Sequence, residues 1–105
     1  MFSPASLGRT VTAIVAEVGG TVVAFGGFAH IGGRVYGFCE LHPEARPYRV
    51  TIHRTALTLI REQLARHKYI YANPDDSEPG AEAWLRRLGF ERLEDAVANL
   101  WRLGR

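Results

Sequence analysis

Two glycine pairs punctuate the first half of this chain and leave it few ways to fold. Gly19-Gly20 and Gly32-Gly33 separate runs rich in β-branched and aromatic residues. A two-residue glycine turn lets adjacent strands reverse tightly, because both positions accept positive φ. Thr10 to Val18, Thr21 to Ile31 and Arg34 to Leu41 therefore read as three strands joined in an antiparallel meander. Gly26-Gly27 falls inside the second strand, where glycine marks a bulge or a close approach of neighbouring backbone.

His42-Pro-Glu-Ala-Arg-Pro47 ends the sheet segment, since proline disfavours helix in the residue before it. From about Tyr48 to Arg66 the pattern turns helical. Ile52, Ala56, Leu59, Ile60, Gln63 and Leu64 line one face, and Arg54, Thr58, Arg61, Glu62 and Ala65 the other. Tyr69 to Ala72 is short and uniformly apolar, as a central buried strand would be. A loop from Asn73 to Gly80 follows, with Ser77 expected as the N-cap of a second helix. In that helix Ala81, Trp84, Leu85 and Leu88 share one face, Gly89 supplies the stop, and Phe90 folds back onto Leu85. Phe90 to Leu93 and Val97 to Leu103 read as two final strands, forming a hairpin. The order is βββ-α-β-α-ββ, an α/β fold with a mixed sheet. The crossover through the long helix makes the third and fourth strands parallel.

At 105 residues, 47% of them hydrophobic, the chain is one domain with a small core. Residues 1–9, broken by Pro4 and Gly8, read as a loose lead-in. Cys39 is the only cysteine, which rules out an intrachain disulfide and a thiolate zinc cluster. The four histidines lack ligand spacing, so no metal is expected. No apolar run approaches the roughly 20 residues of a membrane span, and the first six residues do not resemble a signal peptide. The expected location is the cytoplasm. A net charge of +2, spread from Arg9 to Arg105, argues against a nucleic-acid partner.

Three groups of residues carry candidate chemistry. Arg46, Arg49 and Arg54 near the start of the long helix form either an anion site or a solvated basic surface. Glu40 and His42, two residues apart, share one strand face and read as a base with its neighbour or as a charge pair in water. Tyr69 and Tyr71 also share a face, either packed in the core or lining a pocket. Cys39, between Phe38 and Glu40 on a half-buried strand, reads as an inert small core residue or, only with a base nearby, as a nucleophile.

The element order, the Leu88-Gly89-Phe90 ending of the small helix and the Pro-containing turn after the third strand resemble the GNAT N-acetyltransferase superfamily across residues 10–103. This resemblance implies acetyl-CoA or CoA as cofactor and an amine-bearing acceptor, small molecule or protein. It implies that pantetheine lies in a splay between the third and fourth strands, with pyrophosphate at the start of the long helix. The residues it points to for the cofactor are Leu41, Arg46, Arg49, Val50, Thr51 and Asn73, with Glu40 and His42 as the catalytic pair. Two departures stand out. The family's phosphate loop has small residues where this chain has Arg49 and Thr51, so Arg49 would either intrude on the phosphate or bind it through its guanidinium. The family's tyrosine acid corresponds to Leu85. Such departures resemble small GNAT-like proteins of phages and prophages. They imply an alternative: a catalytically inactive module working through protein contacts, as a homo-oligomer or with a phage-protein partner, and virion-associated if phage-derived.

Overall fold

In a computed structural model the described residues are 2–6, 11–75, 78, 80–94, 96 and 98–104. They form one seven-stranded mixed sheet with two helices. The strands are β1 (Phe2–Ser6), β2 (Val11–Val18), β3 (Thr21–Ile31), β4 (Arg34–Leu41), β5 (Tyr69–Ala72), β6 (Glu91–Arg92) and β7 (Trp101–Gly104). The helices are α1 (Arg49–Leu64), led into by a 3-10 turn over Pro43–Tyr48, and α2 (Ala81–Leu88). The sheet order is β1-β2-β3-β4-β5-β7-β6.

Both Gly-Gly pairs make the expected reversals. Gly19, Gly20, Gly32 and Gly33 all have φ between 57° and 80°, a region a side chain would disfavour. Inside β3 the glycines serve close approach. A Cβ on Gly27 would collide with the Thr12 carbonyl of β2, and one on Gly26 would lie 2.8 Å from the Phe38 carbonyl oxygen of β4. The bulge lies a few residues earlier. Ala16 pairs with Ala24 and Glu17 with Val22, leaving Val23 as the extra residue.

The lead-in is more ordered than expected. Phe2–Ser6 pairs antiparallel with β2 as an edge strand, Phe2 opposite Ala16. The Phe2 side chain packs with Val18, Tyr48 and Trp84 around a buried cluster of Ala16, Val23, Ala24, Ala45 and Ile52. The final strands are shorter than the apolar runs that signalled them. Only Glu91–Arg92 and Trp101–Gly104 are extended, and β7, not β6, joins β5. In between, the Leu93 amide bonds to the Leu100 carbonyl and the Leu100 amide to that of Ala98, so the turn absorbs residues assigned to strand. Val97 and Ser77 lie outside the described residues. The cap position of α2 is held by Gly80, φ 82°.

β4 and β5 pair in parallel, as the crossover requires. A second buried cluster, Phe28, Val35, Ile60, Ile70, Ala72, Phe90 and Trp101, lies under α1 and α2. Leu59, Leu64, Leu85 and Leu88 press onto it from the helices. α1 thus reaches both clusters, through Ile52 and Ile60. Gln63, on its apolar face, has a buried Oε1 without a hydrogen-bond partner among the described residues. Both helices pack on the same side of the sheet, the side of Val35, Ile70 and Trp101.

Candidate functional site

The site follows from where two strands stop pairing. β4 meets β5 only at Tyr36–Tyr71 and Gly37–Ala72. β5 then ends, and Asn73-Pro74 leads away from the sheet, while β4 continues to Leu41 with β3 on its other side. Phe38 to Leu41 therefore border a gap where the sheet would otherwise be continuous. The β3–β4 ladder outlasts β4 itself, because the His42 amide donates to the carbonyl of the bulge residue Val23 at 2.9 Å. The bulge thus fixes the end of β4 and the start of the turn into α1.

The sequence candidates lie on the elements that lead into and out of this gap, and Arg46 also borders a cavity lined by Val18, Thr21 and Val23. Strand alternation puts Glu40 on the helix-free face, alongside Phe38 and Tyr36. Leu41, on the opposite face, is 45% exposed, and Val50, in the first turn of α1, is 60% exposed. Large apolar residues left this open beside a gap are available to a ligand. Arg46, Arg49 and Thr51 are exposed along the 3-10 turn and the first turn of α1, and Asn73 is exposed on the bank opposite β4.

The helix start differs from an open phosphate loop. The turn and α1 run on without a break; the Ala45 amide donates to His42 and the Arg49 amide to Arg46. Those amides are spent inside the chain, and the first residue of the turn, Pro43, has no N–H. The cation for a phosphate here would come from the exposed guanidiniums of Arg46 and Arg49, which suit bidentate phosphate contacts. The set of exposed guanidiniums, exposed apolar residues and an open strand edge fits a CoA-type cofactor. Metal chemistry gets no such support: no group of three or more histidine, cysteine, aspartate or glutamate residues gathers among the described residues.

Cys39 sits between Phe38 and Glu40 on this strand end and is exposed as a residue. Its thiol is nevertheless pushed up to about 11, first by desolvation and second by the charge of Glu40. The exposure belongs to the residue as a whole and the desolvation to the sulfur, so at neutral pH the group is an un-ionised thiol, a poor nucleophile.

Leu85 packs on the buried cluster, which leaves no proton donor at that position of α2. Its neighbour Trp84 donates its indole N–H to Nδ1 of His53 at 2.9 Å, tying α2 to α1. Another residue invisible to pattern reading is Asn99. Its Oδ1 accepts from Arg92 Nε at 3.1 Å and Trp101 Nε1 at 3.0 Å, and its Nδ2 donates to Glu82 at 3.0 Å. A lone asparagine in a loop carries no periodic signal, so only the assembled fold shows this role.

No protein-family model matches the chain, and no curated protein does. Solved structures do. An aminoglycoside acetyltransferase AAC(6')-Ib in complex with coenzyme A superposes with a TM-score of 0.69 at 16% identity, over 91% of this chain and 67% of that one. The ribosomal-protein-S18-alanine N-acetyltransferase from Escherichia coli gives 0.67 at 12% identity, over 92% and 70%. A GNAT superfamily phosphinothricin acetyltransferase from Sinorhizobium meliloti, in complex with AcCoA, gives 0.60 at 19% identity, over 90% and 60%. The chain thus has the fold of the GNAT acetyltransferases and spans 60–70% of the length of these neighbours.

Proposed function

We propose that this chain binds acyl-CoA in the gap between β4 and β5 and serves as an N-acyltransferase domain of about its full length. The observation that carries this reading is the end of β4–β5 pairing at Gly37–Ala72, with Glu40 further along β4 and exposed Arg46 and Arg49 in the turn and helix that follow it. Neighbours of the same fold are described with coenzyme A or AcCoA, and one holds kanamycin, an amine-bearing acceptor.

When bound, acyl-CoA supplies an acyl group activated as a thioester. Arg46 and Arg49 hold the phosphates by charge-assisted hydrogen bonds, and Leu41 and Val50 cover apolar parts of the cofactor. Asn73 contributes an amide on the opposite bank. Glu40, on the other face of the sheet, accepts the proton of an incoming ammonium directly or through a water, with His42 beside it. Most of the acceleration would come from fixing amine against thioester. With Leu85 packed on the core, α2 would offer no proton donor at that position to a leaving thiolate, whose proton would have to come from solvent or from the amine.

Calorimetric titration of acetyl-CoA and CoA tests the reading, with Arg46→Ala and Arg49→Ala alongside. The expected result is saturable binding that weakens in both variants. Absence of heat and of thermal stabilisation would remove the proposal.

A further inference from the structure

The face of the sheet opposite the helices carries a charge pattern of its own. Along β4, alternation places Arg34, Tyr36, Phe38 and Glu40 on that face, and β3 sets Ile31 opposite Arg34 and Phe25 opposite Glu40. The β4 row therefore reads cation, aromatic, aromatic, anion. Arg34 and Glu40 are exposed, and Ile31 is 61% exposed. Phe25, Tyr36 and Phe38 are only half buried, and Phe25 and Phe38 contact each other at 5.4 Å. The Arg34 guanidinium is not loose: it lies 4.6 Å over the Tyr71 ring. The described helices and the 3-10 turn all pack on the other side. A parallel strand pair is normally buried on both faces; here, among the described residues, no helix covers this face of β4–β5, and Tyr71 is buried only beneath neighbouring side chains such as Arg34.

We propose that a second copy of this chain covers this face, about a two-fold axis passing through the middle of β4 near Gly37. The argument is charge complementarity under that symmetry. A two-fold interface sets each residue against its mirror in the row. An axis at the centre of β4 brings Arg34 of one protomer over Glu40 of its partner, and Glu40 over Arg34. Tyr36 then meets Phe38, and on the neighbouring strand Ile31 meets Phe25. Arg34 and Glu40 are six residues, roughly 20 Å, apart along the strand, so the two ion pairs bracket the aromatic centre. Two faces stacked about 10 Å apart leave room for arginine and glutamate side chains to meet. A basic or acidic foreign partner would match only one end of the row. The proposal does not rest on acyl-CoA binding, but it engages Glu40: a carboxylate paired with the partner's Arg34 is not open to an acceptor amine, so the base role of Glu40 belongs to the monomer.

Sedimentation velocity over a wide concentration range tests it, using the whole chain and the variants Arg34→Glu and Glu40→Arg. The native chain is expected to be dimeric at high concentration. Each variant alone is expected to be monomeric, because it puts like charges at both ends of the row. An equimolar mixture of the two variants is expected to regain a dimer, since each restores the opposite charge to the other. The double variant Arg34→Glu with Glu40→Arg is expected to dimerise by itself. Recovery in the mixture separates an interface from misfolding, which mixing does not repair. A native chain that stays monomeric, dimers that survive both single reversals, or a mixture that stays monomeric would overturn the proposal. So would monomers that retain a single-stranded oligonucleotide or an acidic peptide through Arg34. Calorimetry with CoA on the same samples shows whether the cofactor site stands or falls separately.

Discussion

At the scale of single residues, two environments make sharp predictions. Cys39 ionises near 9 when unfolded and near 11 when folded. Between those values the unfolded chain has lost its proton while the folded chain keeps it. Stability contributed by the protonated thiol is thus complete below pH 9 and is lost as pH rises toward 11. Alkylation of the native protein by iodoacetamide should accordingly rise with a midpoint near pH 11, and a midpoint near 9 would contradict the desolvated sulfur. Asn99 makes the second prediction. Its amide serves Arg92, Trp101 and Glu82 together, and Trp101, 1% exposed, is among the most deeply buried side chains. Asn99→Ala removes the acceptor of a buried indole N–H, so chemical denaturation should show a loss of about 1–3 kcal/mol. Loss of the exposed contact to Arg92 alone would cost much less, so Arg92→Ala is the natural control.

At the scale of elements, sequence legibility depended on whether a signal was local. β3, β4 and β5 and the helix α2 came out with the bounds read from glycine pairs and apolar spacing. Their turn chemistry and periodicity are carried by the residues themselves. The Leu88-Gly89-Phe90 ending is the clearest case. Gly89 has φ 103°, and the Phe90 amide reaches back to the Leu85 carbonyl at 2.9 Å while its ring joins the core with Leu85 packed beside it. A Cβ at Gly89 would also lie 3.2 Å from Leu103 of β7. Gly89→Ala should therefore lower stability by about 1–2 kcal/mol in a denaturant titration, from the left-handed backbone and the crowded leucine. What the sequence hid was non-local. Phe2–Ser6 holds Pro4, which reads as a breaker, yet it becomes a strand because Phe2 finds a cluster assembled from β2, β3 and the turn. An edge strand tolerates proline, since one of its sides donates no ladder bonds. β6 and β7 were overextended because Ala98 and Leu100 look apolar in sequence but belong to the turn that lets Asn99 face Arg92, Trp101 and Glu82.

At the scale of the whole molecule, the gap between β4 and β5 opens beside two packed regions that share strands and helices. The cluster around Trp101 draws on β3, β4, β5, β7 and both helices, and the cluster around Ala24 and Ile52 on β2, β3, the 43–48 turn, α1 and Trp84 of α2. β4 and β5 themselves pair at only two residue positions. Leu41 ends β4 on one side of this seam and Asn73 follows β5 on the other, while Arg46 opens toward Val18, Thr21 and Val23. The family likeness pointed to the gap, since the expected strand splay falls at the end of β4. The continuous helical turn behind Arg46 was not legible, because Pro47 reads as an interruption where the structure carries it inside a 3-10 turn. The effect on stability of a ligand bridging the seam follows from mass action. Acetyl-CoA at a hundred times its dissociation constant should add about 2.7 kcal/mol. For a domain of this size that is a rise of roughly 10 °C in the melting temperature. The rise should shrink at high salt, because Arg46 and Arg49 are exposed and their attraction for phosphate is screened. Differential scanning calorimetry at low and high ionic strength reads both effects. A melting temperature indifferent to the cofactor would mean the seam is empty of function, whereas one that rises equally at all salt would move the phosphate contact away from these two arginines.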